Sequence, residues 1–86
     1  MSASFYWEPL AVTHGKQLRN GVSDDARTLN KIFPNGEITS NDISKLRAMH
    51  AATRSKESLW DDIADTLERL QGSDPTPVAI SVWVEY

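Results

Sequence analysis

The sequence predicts a small α+β domain in which a sheet made by the N- and C-terminal strands carries three helices, at about 23–33, 40–53 and 58–71, on one of its faces. Three observations carry that prediction. Residues 78–86, VAISVWVEY, are dominated by β-branched and aromatic side chains. Residues 4–12, SFYWEPLAV, form a second stretch of that kind. Between them, three segments set apolar residues at helical spacing behind capping residues. Because the terminal segments hold most of the β-forming residues, they are expected to pair, closing the chain on itself and laying the helices across the sheet.

The C-terminal strand is bounded by Pro75 and Pro77, which shut off any helix ahead of it. Alternation sends Val78, Ile80, Val82, Val84 and Tyr86 to one face and Ala79, Ser81, Trp83 and Glu85 to the other. In the N-terminal strand, Phe5 and Trp7 share a face opposite Tyr6, Glu8 and Leu10. Pro9 cannot donate to a ladder, so this strand is expected at a sheet edge, or with a bulge beside Pro9. Residues 13–21, THGKQLRNG, contain two glycines and no periodicity; they read as a loop and as the most mobile part of the domain.

Ser23 reads as an N-cap, followed by Asp24 and Asp25 where the helix dipole favours negative charge. Val22, Ala26, Leu29 and Phe33, with Ile32 beside them, form the first apolar stripe, which Pro34-Asn35-Gly36 ends. Residues 37–39 offer a stub of a third strand. Thr39 and Asp42 fit a capping box ahead of a stripe of Ile43, Leu46, Met49, His50 and Thr53. After a polar break at 54–57, Ser58 and Asp61 repeat the capping pattern. Leu59, Ile63, Leu67 and Leu70, widened by Trp60 and Ala64, then form the third stripe, and Gly72 stops it. So short a break predicts an antiparallel helical hairpin.

Length and composition bound the function. Eighty-six residues make one domain with a modest core and little room for an enclosed substrate cavity or large cofactor, which argues against an enzyme. The absence of cysteine excludes disulfides, zinc-thiolate sites, iron-sulfur clusters and thiol catalysis. No signal-peptide pattern and no apolar run of the ~20 residues a membrane helix needs is present, so a soluble, cytoplasmic protein is expected. The formal charge of -3 divides as +1 over residues 1–36 and -4 over 37–86. That balance argues against a dedicated nucleic-acid binder and favours basic partners.

The candidate chemistry is sparse. Asp61, Asp65 and Glu68 recur on one face of the third helix beside Asp62, either as a solvated outer face or as a surface that docks on basic groups. His50 sits on the second stripe, as a general base near Asp42 or a third-helix acid, or as a half-buried histidine bound to backbone or carboxylate. His14-Gly15-Lys16 lacks the first glycine of a phosphate loop, since Leu10 stands there. Two histidines without cysteine make no zinc site, and no calcium loop is complete; neither metal nor cofactor is expected. If the terminal strands pair, Trp7 and Trp83 are expected to share a sheet face that is either uncovered, and exposed aromatic patches mark contact surfaces, or covered by the loop at 13–21 folding over the rings.

The resulting expectation is a non-enzymatic protein-binding domain, in the manner of compact bacterial or phage accessory, inhibitor or immunity proteins. Its contact residues would be Trp7, Trp83 and Glu85 with Asp61, Asp65 and Glu68. The rival reading is a nucleic-acid-associated regulator using Lys45, Arg47, Arg54 and Lys56 in the second helix and the segment after it. A β-rich C-terminal strand, expected at a sheet edge, adds the prospect of a homodimer through that edge.

Overall fold

A computed structural model describes residues 2–9, 16–73 and 75–85 of the chain; residues 1, 10–15 (Leu10 and His14 among them) and 74, and also Tyr86, lie outside the described residues, as do the side chains of Ser2 and Val22. The described residues form four β-strands, β1 (Ser2–Pro9), β2 (Lys16–Val22), β3 (Glu37–Thr39) and β4 (Ala79–Glu85), and three α-helices, α1 (Ser23–Ile32), α2 (Ile43–Thr53) and α3 (Leu59–Gln71). The strands make an antiparallel sheet in the order β2-β1-β4-β3, with the N- and C-terminal strands side by side at its centre. By its contacts the chain divides into two units, one of Met1–Ile38 with Ile80–Tyr86 and one of Thr39–Ala79.

In the first unit the expected alternation of β1 is borne out: Ala3, Phe5 and Trp7 are buried, whereas Ser4, Tyr6 and Glu8 are half-buried. The expected loop at 13–21 is corrected, because residues from Lys16 on form β2, paired antiparallel to β1 from Ser2↔Val22 to Trp7↔Lys16. Lys16-Gln-Leu-Arg-Asn-Gly has almost no intrinsic β-propensity. It is held extended by its neighbour, and its polar, charged side chains suit an edge strand.

The placement of β1 at an edge is also corrected. β1 lies between β2 and β4, and the one register shift falls between Phe5 and Tyr6, away from Pro9. The tolerance of Pro9 there follows from the ladder. Val82 N–H donates to Gly36 O at 2.8 Å, so the even-numbered residues of β4 turn their backbone groups toward β3 and the odd-numbered ones toward β1. Pro9 stands opposite Ile80, a pair that exchanges no hydrogen bonds, so its missing N–H would have pointed toward β2, beyond the last described β1-β2 pair at Trp7.

Helix α1 buries Ala26 and Leu29, and Phe33 just after it is buried as well. Its end is a turn in which Phe33 N–H reaches Leu29 O at 2.8 Å and Gly36 N–H reaches Phe33 O at 2.9 Å. Gly36 is required here twice over: its φ is +70°, and a Cβ on it would lie 2.8 Å from Val82 O. Asp25, half-buried in the first turn of α1, has its pKa raised by burial and, less strongly, by Asp24, while Arg19 opposes the shift.

The second unit begins with the expected capping box. The Thr39 hydroxyl accepts from Asn41 N–H at 3.2 Å and Asp42 Oδ2 accepts from Thr39 N–H at 3.0 Å, starting a 3₁₀ turn, Ser40–Asp42, that runs into α2. Of the α2 stripe only Leu46 is fully buried; Ile43, Met49 and His50 are half-buried and Thr53 is exposed. Arg54, at φ 56°, caps α2 in the left-handed region, and Ser58 caps α3 by accepting from Asp61 N–H at 3.3 Å. Helix α3 buries Leu59, Trp60, Ile63, Ala64, Thr66 and Leu67. Leu70, expected in that stripe, is 41% exposed, whereas Thr66 is buried by turning its hydroxyl back on Asp62 O at 2.9 Å. The ends of this unit are tied by two hydrogen bonds, Ser40 N–H to Val78 O at 2.9 Å and Val78 N–H to Ser40 Oγ at 3.1 Å. No helix among the described residues is long and apolar enough to cross a membrane.

Two measurements check these points. In urea denaturation Gly36→Ala should cost about 2 kcal/mol or more, while Gly72→Ala, at φ +59° with nothing within 4 Å of the added carbon, should cost about 1 kcal/mol from backbone strain alone. For Asp25, a raised native pKa means that the folded state binds the proton more readily than the unfolded one. The wild type therefore gains stability from this group as pH falls through the native value toward the ordinary 3.8. Asp25→Asn should accordingly compare more favourably with wild type at about pH 7 than at about pH 3.

Candidate functional site

The pairing of β1 with β4 fixes which side chains share a face. The opposed residues are Ser4↔Glu85, Phe5↔Val84, Tyr6↔Trp83, Trp7↔Val82, Glu8↔Ser81 and Pro9↔Ile80, and directly opposed residues in an antiparallel pair lie on the same face. Trp7 therefore shares the face of Phe5, Ile80 and Val82, and is 8% exposed. Trp83 lies on the other face, opposite Tyr6. The expectation that the two tryptophans share one uncovered face is thus corrected, because the register pairs odd positions of β1 with even positions of β4. Trp7 is core.

What the second face does hold is a three-by-two array: Ser4, Tyr6 and Glu8 along β1 against Glu85, Trp83 and Ser81 along β4. At its centre the rings of Tyr6 and Trp83 stack, with centroids 5.9 Å apart and planes 17° from parallel. Both are half-buried, as are Ser4, Glu8 and Ser81, and Glu85 is exposed. On the β2 side, Asn20 stands opposite Ser4 and Gln17 opposite Tyr6. Asn20 Oδ1 accepts from Ser4 Oγ at 2.7 Å and from Gln17 Nε2 at 2.8 Å, so the β2 side of the array is tied by side-chain hydrogen bonds. Among the described residues, neither Glu8 nor Glu85 has an ion-pair partner.

Tyr6 and Glu8 were absent from the candidate residues read off the sequence. A signal for them was present: Ser-x-aromatic-x-Glu occurs twice, at 4–8 (SFYWE) and at 81–85 (SVWVE). The antiparallel register lays one copy against the other, so that each serine opposes the other copy's glutamate.

The acidic face of α3 has a different fate. Arg47 of α2 forks across it, with one guanidinium nitrogen on Asp61 and another 2.8 Å from Asp65 Oδ1 and 2.9 Å from Glu68 Oε1. Hydrogen bonds to Glu68 and then Asp65 raise the pKa of the guanidinium. Residues assigned to two rival surfaces, the acids to a protein partner and Arg47 to nucleic acid, are thus one another's partners. Lys45, Arg54 and Lys56 are exposed, with Arg54 serving as the left-handed cap of α2.

His50 Nδ1 lies 2.7 Å from Ser58 Oγ, the same oxygen that caps α3, and Asp42 is engaged by Thr39. The histidine is tied to a hydroxyl rather than to the acid expected beside it. A shallow groove of ≈ 280 Å³ between α1 and the end of β4, lined by Leu29, Asn30, Phe33, Pro34, Asn35 and Val84 among others, holds no titratable side chain. Comparison of the chain with protein-family models, curated proteins and solved structures finds no match.

Replacing Arg47 by Ala leaves three carboxylates facing one another without their cation. Denaturation should show a loss of about 1 kcal/mol that shrinks as salt is raised, since the network is half-exposed.

Proposed function

We propose that this chain is a small non-enzymatic protein-binding domain of the accessory or inhibitor type, and that its contact surface is the sheet face centred on Tyr6 and Trp83, with Glu8 and Glu85 beside them. The observation that carries this reading is the stacked, half-exposed ring pair inside a polar rim. Aromatic anchors surrounded by polar groups are the composition of interface hot spots. The acidic face of α3 is a weaker candidate than the sequence implied, because Arg47 offsets part of its charge and occupies oxygens a partner would need. The same contact takes Arg47 away from a nucleic-acid surface. A non-catalytic role fits a histidine held by the cap hydroxyl of α3, and a cytoplasmic setting fits a chain without cysteine. Self-pairing through the C-terminal strand is set aside, because β4 lies between β1 and β3 rather than at an edge, and the long edge strand β2 is guarded by exposed Lys16, Gln17 and Asn20.

Affinity capture from the source cell, with wild type, Tyr6→Ala and Trp83→Ala compared side by side, tests the reading. A partner held by wild type should weaken by ~30-fold or more with either variant, as hot-spot truncations do, while circular dichroism and a cooperative unfolding transition show that both variants remain folded. Folded variants that retain the partner at wild-type strength would sink it.

A further inference from the structure

We infer that the partner of this face is a basic segment, an extended stretch presenting Arg or Lys side chains at positions i and i+4 with an apolar residue at i+2. This rests on the reading of the Tyr6–Trp83 face as a contact surface and adds the chemistry of what it contacts. Three features lead there. The face carries two carboxylates, Glu8 and Glu85, with no ion-pair partner among the described residues. Between them lie two stacked, half-exposed rings, on which an apolar side chain can pack. And the doubled Ser-x-aromatic-x-Glu pattern places the carboxylates at opposite corners of the array, with the rings midway.

The spacing follows from strand geometry. Glu8 and Glu85 stand in opposed rows four residues apart and one strand apart, so their backbone positions are separated by about 14 Å. An extended segment covers about 14 Å in four residues and turns i, i+2 and i+4 to the same side. Its two basic side chains then reach the two glutamates while the intervening apolar side chain lies on the rings. Because the two strands carry the same pattern in opposite directions, the surface reads alike from either end and accepts the segment in either polarity. The same charges exclude other occupants. A second copy of the face would set four carboxylates against one another, and nucleic acid would bring phosphates onto Glu8 and Glu85.

The test uses the full chain and synthetic peptides in a glycine-serine host: Arg at i and i+4 with Leu at i+2, the same peptide with Glu for Arg, and one with the second Arg moved to i+2. Binding is followed by NMR through the Trp83 indole N–H and the Tyr6 and Trp83 amides. The first peptide should shift these signals saturably. Glu8→Gln or Glu85→Gln should each weaken it ~3-fold and both together ~10-fold, with the amide spectrum otherwise unchanged. Raising salt from ~0.1 to ~0.5 M should weaken it further. The Glu peptide should not bind, and the i, i+2 peptide should bind like one with a single Arg. The inference is overturned if the Glu peptide binds equally, if the Gln variants bind like wild type, if no peptide moves the signals up to millimolar concentration, or if the signals move with dilution of the protein alone, which assigns the face to a second copy. Captured natural partner separates the two claims. Loss with Tyr6→Ala and Trp83→Ala but not with the Gln variants removes the basic segment and leaves the contact surface. Retention by the ring variants removes the contact surface itself.

Discussion

The antiparallel register of β1 against β4 is the constraint on which the sheet depends. It sets Trp7 against Val82 and Tyr6 against Trp83, so one indole is core and the other is half-exposed. A slip of one residue would exchange the faces of an entire strand. The buried partners Phe5, Trp7, Ile80 and Val82 hold the register by what they would lose on reaching solvent, a cost of about 1.5–3 kcal/mol for each large apolar side chain. Pro9 adds a local condition, since it is tolerated only where its nitrogen is turned away from a hydrogen-bonded neighbour. The pairing Pro9↔Ile80 satisfies that condition.

Much of the fold was legible because its signals are local. Ser58, Thr39 and Asp42 act as caps where their spacing placed them, and α1 ends just ahead of Pro34, in a turn whose Gly36 leaves no room for a Cβ against Val82 O. The features that escaped depend on partners far along the chain. β2 is extended because β1 lies beside it, and nothing in Lys16-Gln-Leu-Arg-Asn-Gly announces that. Which face Trp7 occupies depends on the parity of a register that neither strand encodes alone. The acidic residues of α3 looked available because the cation that binds them sits fourteen residues before Asp61, on another helix. The doubled Ser-x-aromatic-x-Glu pattern was open to reading, but a five-residue similarity carries meaning only once the two copies are known to lie side by side.

Arg47 shows how a charged face can be visible in sequence and still be committed to structure. Its planar guanidinium offers several donors in a fixed fork, so one side chain serves three carboxylates spaced along successive turns of α3. Lysine could not reproduce that geometry. The glutamates of the sheet face stand in contrast. They flank the stacked rings, and among the described residues neither has an ion-pair partner.

The position of β4 has a consequence for how the chain is made. Among the described elements it is synthesised after all the others, yet it lies inside the sheet, between β1 and β3. Until its residues leave the ribosome, β1 has a bare backbone edge along the line where β4 will lie, and β3 has no neighbour. The nascent polypeptide can form its helices early, but the sheet closes only when β4 meets β1 across seventy or more intervening positions. Contacts so distant in sequence form slowly. During that wait the open edge of β1 is the site at which a newborn chain is most exposed to pairing with a neighbour.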